Sequence, residues 1–262
     1  MKLSKKLITA IAMLTLSVVM LTTSSFAWFS MNENVKATGM SVTAKAEQRF
    51  LQIVEASVAF DNTLPQVEAI LESSKTEMIP VTVAKAASGK TLTSVAENET
   101  TKVLAKTDVN WFFATSDSPA SSGAAVNYTS ADVAAEGQKY TLVNDFKIRL
   151  NPAAGLTSAT QPLTCSVNVA ESAVGDLAKA VSVLVVCGDN AMLFTQGDTL
   201  NSWTTVGKKL TTEAFSNPDA GYVEVKVYIF FDGEHSACTT NNAVNPKAYS
   251  VEVNFSVSNE VA

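Results

Sequence analysis

The residue types that carry most enzyme chemistry are sparse in this chain of 262 residues, which has one histidine and three cysteines. His235 lies in a polar stretch, Asp232-Gly-Glu-His. A single imidazole supplies neither the paired histidines of an HExxH zinc protease nor a site of two histidines and a carboxylate, and no CxxC pair replaces them. A serine or cysteine nucleophile would need His235 as its base, yet there is no GxSxG elbow, and Cys165 and Cys187 stand in apolar, strand-like surroundings. Those surroundings suit buried thiols acting as small hydrophobes. Cys238 makes the count odd, so at most one internal disulfide can form, and free thiols are the favoured reading. Ala87-Ser-Gly-Lys-Thr91 has the end of a phosphate-binding loop without its opening glycine, position 84 being alanine, and reads as a glycine turn between strands. Asp232 and Glu234, with Asn241 and Asn242 nearby, offer hard oxygen ligands to calcium, but not at EF-hand spacing, and a solvated turn is the plainer reading. The separation of paired carboxylates for glycoside hydrolysis is set by folding and is not legible here. The three tryptophans make no aromatic platform for sugars visible in the sequence. The expectation is a protein that is not an enzyme, with no catalytic residues and no cofactor.

The elements that would position these residues are strands. Residues 35–60 alternate with period two in places, as in Met40-Ser-Val-Thr-Ala-Lys-Ala46, and should hold two strands. Further strands are expected at Ile79 to Ala84, Lys102 to Ala105, Val109 to Ala114, Tyr140 to Leu150, Leu163 to Ala170, Val181 to Cys187, Tyr222 to Phe231 and Tyr249 to Val257. The last two are clearest: Val223, Val225, Val227 and Ile229 face one way and Glu224 and Lys226 the other, and Val251, Val253 and Phe255 repeat the pattern. Each should bury one face in a shared core, the pair belonging to a Greek-key arrangement or flanking a structured loop. Ten or so strands without a sustained helical period point to an all-β antiparallel sandwich with one or two short helices and long loops. Leu64 to Ser73, with Pro65 in a first-turn position and Val67, Ile70 and Leu71 on one side, reads as a short amphipathic helix. Leu210 to Phe215 reads as another helical turn. Thr115 to Gly137, rich in Ser, Ala, Gly and Asp, reads as a polar excursion. No composition shift demands a second domain, so residues 28–262 are taken as one.

The amino terminus says where the protein goes. Lys2, Lys5 and Lys6 precede an apolar stretch from Leu7 to about Leu21 and a small-x-small site, Ser25-Phe26-Ala27. Residues 1–27 therefore read as an export signal, helical while it is in place, with cleavage between Ala27 and Trp28 by a signal peptidase. Left uncleaved, Leu7 to Phe29 is long enough to span a bilayer and would tether the domain outside. Beyond it no apolar run approaches the ~20 residues of a membrane helix, so the membrane is a partner only through the signal. Cleavage leaves 16 basic against 25 acidic side chains, a formal charge of −9, which disfavours nucleic acid. The carboxyl end carries no LPxTG sorting motif. Trp28-Phe29-Ser30 then opens the mature chain, and an exposed aromatic pair is costly unless something covers it.

The hydrophobic signal ending in Ser-Phe-Ala-Trp-Phe-Ser30, followed by Asn32-Glu-Asn-Val35 and Gly39-Met-Ser-Val42, resembles the start of the TasA/camelysin family of exported Gram-positive surface proteins, which a SipW-type signal peptidase processes. Ala27, Trp28, Phe29, Ser30, Val35, Gly39 and Val42 fit that family's pattern, although Met31 and Asn32 displace its usual acidic residue to Glu33. Val227-Tyr-Ile-Phe-Phe-Asp-Gly-Glu234 is also similar to a strand-then-DGE stretch of related surface proteins. The resemblance implies a jelly-roll-like sandwich and a subunit of extracellular biofilm fibres, in which one copy's amino-terminal segment completes the next copy's sheet. One branch is described as a casein-cleaving metalloprotease, whose zinc motif this chain lacks. Physically, Trp28 to Thr43 can add a strand to an open sheet edge, with Trp28 and Phe29 as anchors and Val35, Met40 and Val42 filling alternate pockets. It can equally form the first strand of its own domain. The partners expected are the chain itself or other matrix proteins. A secreted or tethered adhesion module that binds glycans through its long loops is the competing expectation, and a camelysin-type protease the third.

Overall fold

The computed structural model describes residues 40–47, 50–62, 66–73, 78–89, 91–115, 127–152, 155, 158–171, 176–218, 221–238 and 249–257. Along them run β1 (Met40–Ala46), β2 (Leu51–Glu55), β3 (Glu68–Ser73), β4 (Thr82–Ala84), β5 (Ala86–Ser88), β6 (Thr91–Thr93), β7 (Leu104–Ala105), β8 (Asn110–Thr115) and β9 (Asn127–Ser130). Then come α1 (Val133–Tyr140), β10 (Leu142–Leu150), β11 (Thr164–Glu171), β12 (Val181–Cys187), β13 (Asn190–Gln196), β14 (Trp203–Val206), β15 (Val223–Phe231) and β16 (Tyr249–Ser256). The described residues are all-β, with almost no helix. The signal segment and residues 116–126 of the polar excursion lie outside the described residues.

Two sheets face each other. The larger runs β14-β13-β12-β15-β10-β2, with β7 added on β13, and the smaller runs β11-β16-β1-β3. Alternation decides which side chains meet between them. Val225, Val227, Ile229 and Phe231 of β15 and Phe146 and Ile148 of β10 meet Val251, Val253 and Phe255 of β16 and Val42 and Ala44 of β1 in one core. Their polar alternates, among them Glu224, Lys226 and Asp145, remain exposed. Every ladder between described strands is antiparallel except β1 with β16, which is parallel.

β12 departs from alternation because the large sheet is covered on both faces. All seven residues of Val-Ser-Val-Leu-Val-Val-Cys are buried, with Val181, Val183 and Val185 turned to the main core and Leu184 and Val186 to a second one. A near-continuous apolar run is what two-sided burial requires. The second core is closed by the three-stranded sheet β4-β8-β9 and by α1, whose Val133 and Tyr140 sit seven apart on one helix face and pack beside Phe230 and Leu193.

Three sequence expectations fail here. Glu68–Ser73 is a strand, although Val67, Ile70 and Leu71 have helical spacing, because Val67, Ala69 and Leu71 also fall at every second position. Ala69 is buried and Ile70 is 53% exposed, and the bonding groups of β1 need a partner that β3 supplies. Residues 210–215 form bends and no helix: Leu210 N–H bonds the Leu163 carbonyl and Phe215 N–H the Gln161 carbonyl, so the stretch is tied to the start of β11. The presumed excursion contains β9 and the start of α1, with Ala131 and Val133 buried.

Candidate functional site

The residues singled out at the amino terminus divide at position 40. Ala27, Trp28, Phe29 and Val35 lie outside the described residues. Met40 opens β1, and Val42 lies fully buried in the middle of the smaller sheet. β1 is held on one side by β16, with Val42 beside Val251 and Ala44 beside Val253, and on the other by β3. Lys45 and Glu252 close a 2.6 Å ion pair on the outer face; half-exposed, it sets register more than stability. Residues 40–46 are the first described strand, and they pair with β16 and β3 of the same chain.

Among the described residues, no strand lies beside β3 on its far side. Ala46 N–H donates to the Val67 carbonyl at 2.8 Å. In this register that makes Ala44 with Ala69 and Val42 with Leu71 the bonded pairs. The alternate residues of β3 must therefore aim their N–H and C=O away from β1. Gln66 does so, its carbonyl accepting from Ile53 N–H of β2 at 2.7 Å, which closes the sandwich at that corner. Further along, no described residue bonds the outward groups of Glu68 or Ile70. Ile70 is also among the few large apolar side chains left exposed.

The opposite edge of the same sheet is guarded. The Asn201 side chain takes the place of a neighbouring strand against β11: its Oδ1 accepts from Val169 N–H at 2.7 Å and its Nδ2 donates to the Val169 carbonyl at 3.0 Å. Its own N–H donates to Gln196 Oε1, and it sits at φ 62°, a left-handed conformation that asparagine tolerates better than most residues. At the other end, Leu163 is bonded by Leu210 and Thr211. Asn201→Ala is expected to cost about 2–3 kcal/mol, from two lost hydrogen bonds and a strained backbone, read as a lower midpoint in chemical denaturation. It should also cause aggregation, because a second edge becomes open.

The Asp-Gly-Glu-His loop after β15 is a structural clasp. Asp232 N–H donates to the Ala180 carbonyl and Gly233 N–H to the Val81 carbonyl, joining the large sheet to the second layer. The Asp232 carboxylate accepts from Glu234 N–H at 3.1 Å, while Glu234 accepts from the Tyr128 hydroxyl at 2.5 Å. The two calcium candidates thus have separate partners within the chain. Among the described residues no group of three or more His, Cys, Asp or Glu gathers as a metal site, and Asn241 and Asn242 lie outside them. His235 Nδ1 accepts from Ala237 N–H, so Nε2 carries the proton shared with the Gly197 carbonyl at 3.1 Å, and both ring nitrogens are committed to backbone. Cys165, Cys187 and Cys238 are buried free thiols. Burial raises the Cys187 thiol to about 11 and the other two further, away from nucleophilic character. The phosphate-loop look-alike is a hairpin, Ser88 opposite Thr91 with Gly89 at φ 57°.

Burial raises the Asp232 carboxyl from 3.8 to about 6, against the lowering effect of hydrogen bonds from Glu234 N–H and Thr82. A raised carboxyl favours the protonated fold, so its stabilising contribution is complete below pH ~3.8 and is lost as pH rises to about 6. Asp232→Asn keeps an acceptor for Glu234 N–H and removes the charge. It is expected to flatten that loss and raise stability at pH 7.5 by up to about 3 kcal/mol, seen as a gain in Tm at pH 7.5 that vanishes near pH 4.

The chain matches no family model, no curated protein and no solved structure. No described helix is long and apolar enough to cross a membrane.

Proposed function

We propose that the protein is a non-enzymatic, exported structural subunit of an extracellular surface fibre or biofilm matrix, built as a jelly-roll-like sandwich of the TasA/camelysin kind. Cleavage after Ala27 leaves residues 28–39 ahead of β1, a segment that spans about 40 Å when extended. In one copy that segment lays itself along the β3 edge of the next, with Trp28 and Phe29 as anchors. The observation that carries this reading is the contrast between the two edges of the smaller sheet: β11 is covered by Asn201 and Leu210, whereas β3 presents outward main-chain groups beside an exposed Ile70. Main-chain bonds along such an edge give affinity without a deep pocket.

The test is light scattering and electron microscopy of signal-cleaved protein with and without residues 28–39. Fibres or chains of subunits are expected from the intact form. The shortened form keeps all of β1 and should be a folded monomer. A strictly monomeric intact form, or equal assembly of both, contradicts the reading.

A further inference from the structure

The second layer builds a pocket that the sequence does not announce. β8 and β15 belong to different sheets, yet they bring Trp111 against Tyr228, ring centroids 5.7 Å apart at 48°, with Phe230 edge-on behind the indole at 4.9 Å. Ala131 N–H donates to the Trp111 carbonyl, which carries the β8–β9 ladder forward and delivers Ser130, Asp132 and the start of α1 to the same place. The result is a pocket of about 290 Å³ with an aromatic wall and a polar rim of Asn110, Ser130 and Asp132. Its volume sits near the small end of ~300–1,000 Å³ ligand pockets, room for one small ring rather than a chain.

Its polar groups suit a ligand rich in hydroxyls. The Trp111 indole N–H and the Tyr228 hydroxyl bond no described residue, and both rings are only half-buried. Asn110 uses its Nδ2 on the Lys85 carbonyl at 2.7 Å, which fixes the amide and turns its oxygen into an available acceptor. Ser130 is exposed. Two donors, an acceptor and a hydroxyl around an aromatic face match a sugar ring, whose C–H face packs on the aromatics while its hydroxyls meet the rim. The one carboxylate at the rim and the chain's negative charge oppose acidic sugars.

We propose that this pocket binds a neutral monosaccharide unit, at the end of a glycan or free. The site is independent of the β3 edge, so a fibre subunit carrying it would display sugar-binding pockets along its length.

Saturation-transfer NMR tests it on the signal-cleaved protein, with methyl β-glucoside, methyl β-galactoside and N-acetylglucosamine at ~10 mM as probes, a range suited to weak affinity. Transfer to the ring C–H protons of at least one probe is expected. Tyr228→Phe and Ser130→Ala, which keep the packing, should each weaken that binding at least about threefold, with near-UV circular dichroism unchanged. No transfer from any of the three sugars overturns the proposal, as does binding that neither variant weakens. Choline serves as a cationic control. Binding of choline without any sugar overturns the saccharide assignment too.

Discussion

Gly207→Ala is expected to lower the thermal midpoint by roughly 10 °C, a loss on the order of 3 kcal/mol for a domain of this size. Gly207 follows β14 at φ 81°, where an L side chain is strained. A Cβ there would lie 2.6 Å from the Ala191 carbonyl oxygen and 3.1 Å from Leu104 N. Both are backbone atoms of paired strands, β13 and β7, and cannot swing aside. The next residue, Lys208, donates its N–H to the Lys102 carbonyl at 2.7 Å, so a shift of the turn would also release the segment that leads into β7. Gly188→Ala is the control. It has a similar left-handed φ of 57° but nothing within 4 Å of its Cβ, and should cost only about 1 kcal/mol. Thermal unfolding followed by circular dichroism separates the two, and equal losses would show that the close approach at Gly207 is not what limits it.

Ile70→Pro is expected to abolish assembly while leaving the monomer nearly as stable as before. The Ile70 N–H faces away from β1, so removing it breaks no ladder bond among the described residues. Its side chain is 53% exposed, so the packing loss should stay within about 1 kcal/mol. A proline on an edge strand blocks addition of a further strand. Light scattering should report only monomers at concentrations where the unaltered protein associates. Ile70→Val, which keeps the N–H, should assemble normally. Fibres formed by the proline variant would mean that some other surface joins the subunits.

Much of the sandwich was legible because one-sided burial leaves a period of two. β15 and β16 are read correctly from their alternation, and β10 lies within the expected run Tyr140 to Leu150, whose first residue ends α1 instead. β13 is missed because its Ala-Met-Leu-Phe run is buried on both faces and shows no alternation. β3 is misread because Val67, Ile70 and Leu71 fit a helix while Val67, Ala69 and Leu71 fit a strand, and only pairing with β1 decides. The candidate edge was not legible, since β3 reads as a helix and Asn201 guards β11 from far along the chain. The same holds for the pocket: Trp111 and Tyr228 meet only because β8 folds back over the large sheet. Both ring nitrogens of His235 bond backbone groups, a pairing set by the fold, and the three cysteines are buried free thiols, as the apolar surroundings of Cys165 and Cys187 suggested.

The central claim is that the segment before β1 in one copy covers the β3 edge of another. Hydrogen exchange of the 66–73 segment, measured on signal-cleaved protein at low and high concentration, tests it most directly. The outward amides of Glu68 and Ile70 are predicted to exchange fast when the protein is dilute, to become protected as concentration rises, and to stay unprotected at any concentration once residues 28–39 are deleted. Protection that does not depend on concentration, or that survives the deletion, would contradict the account.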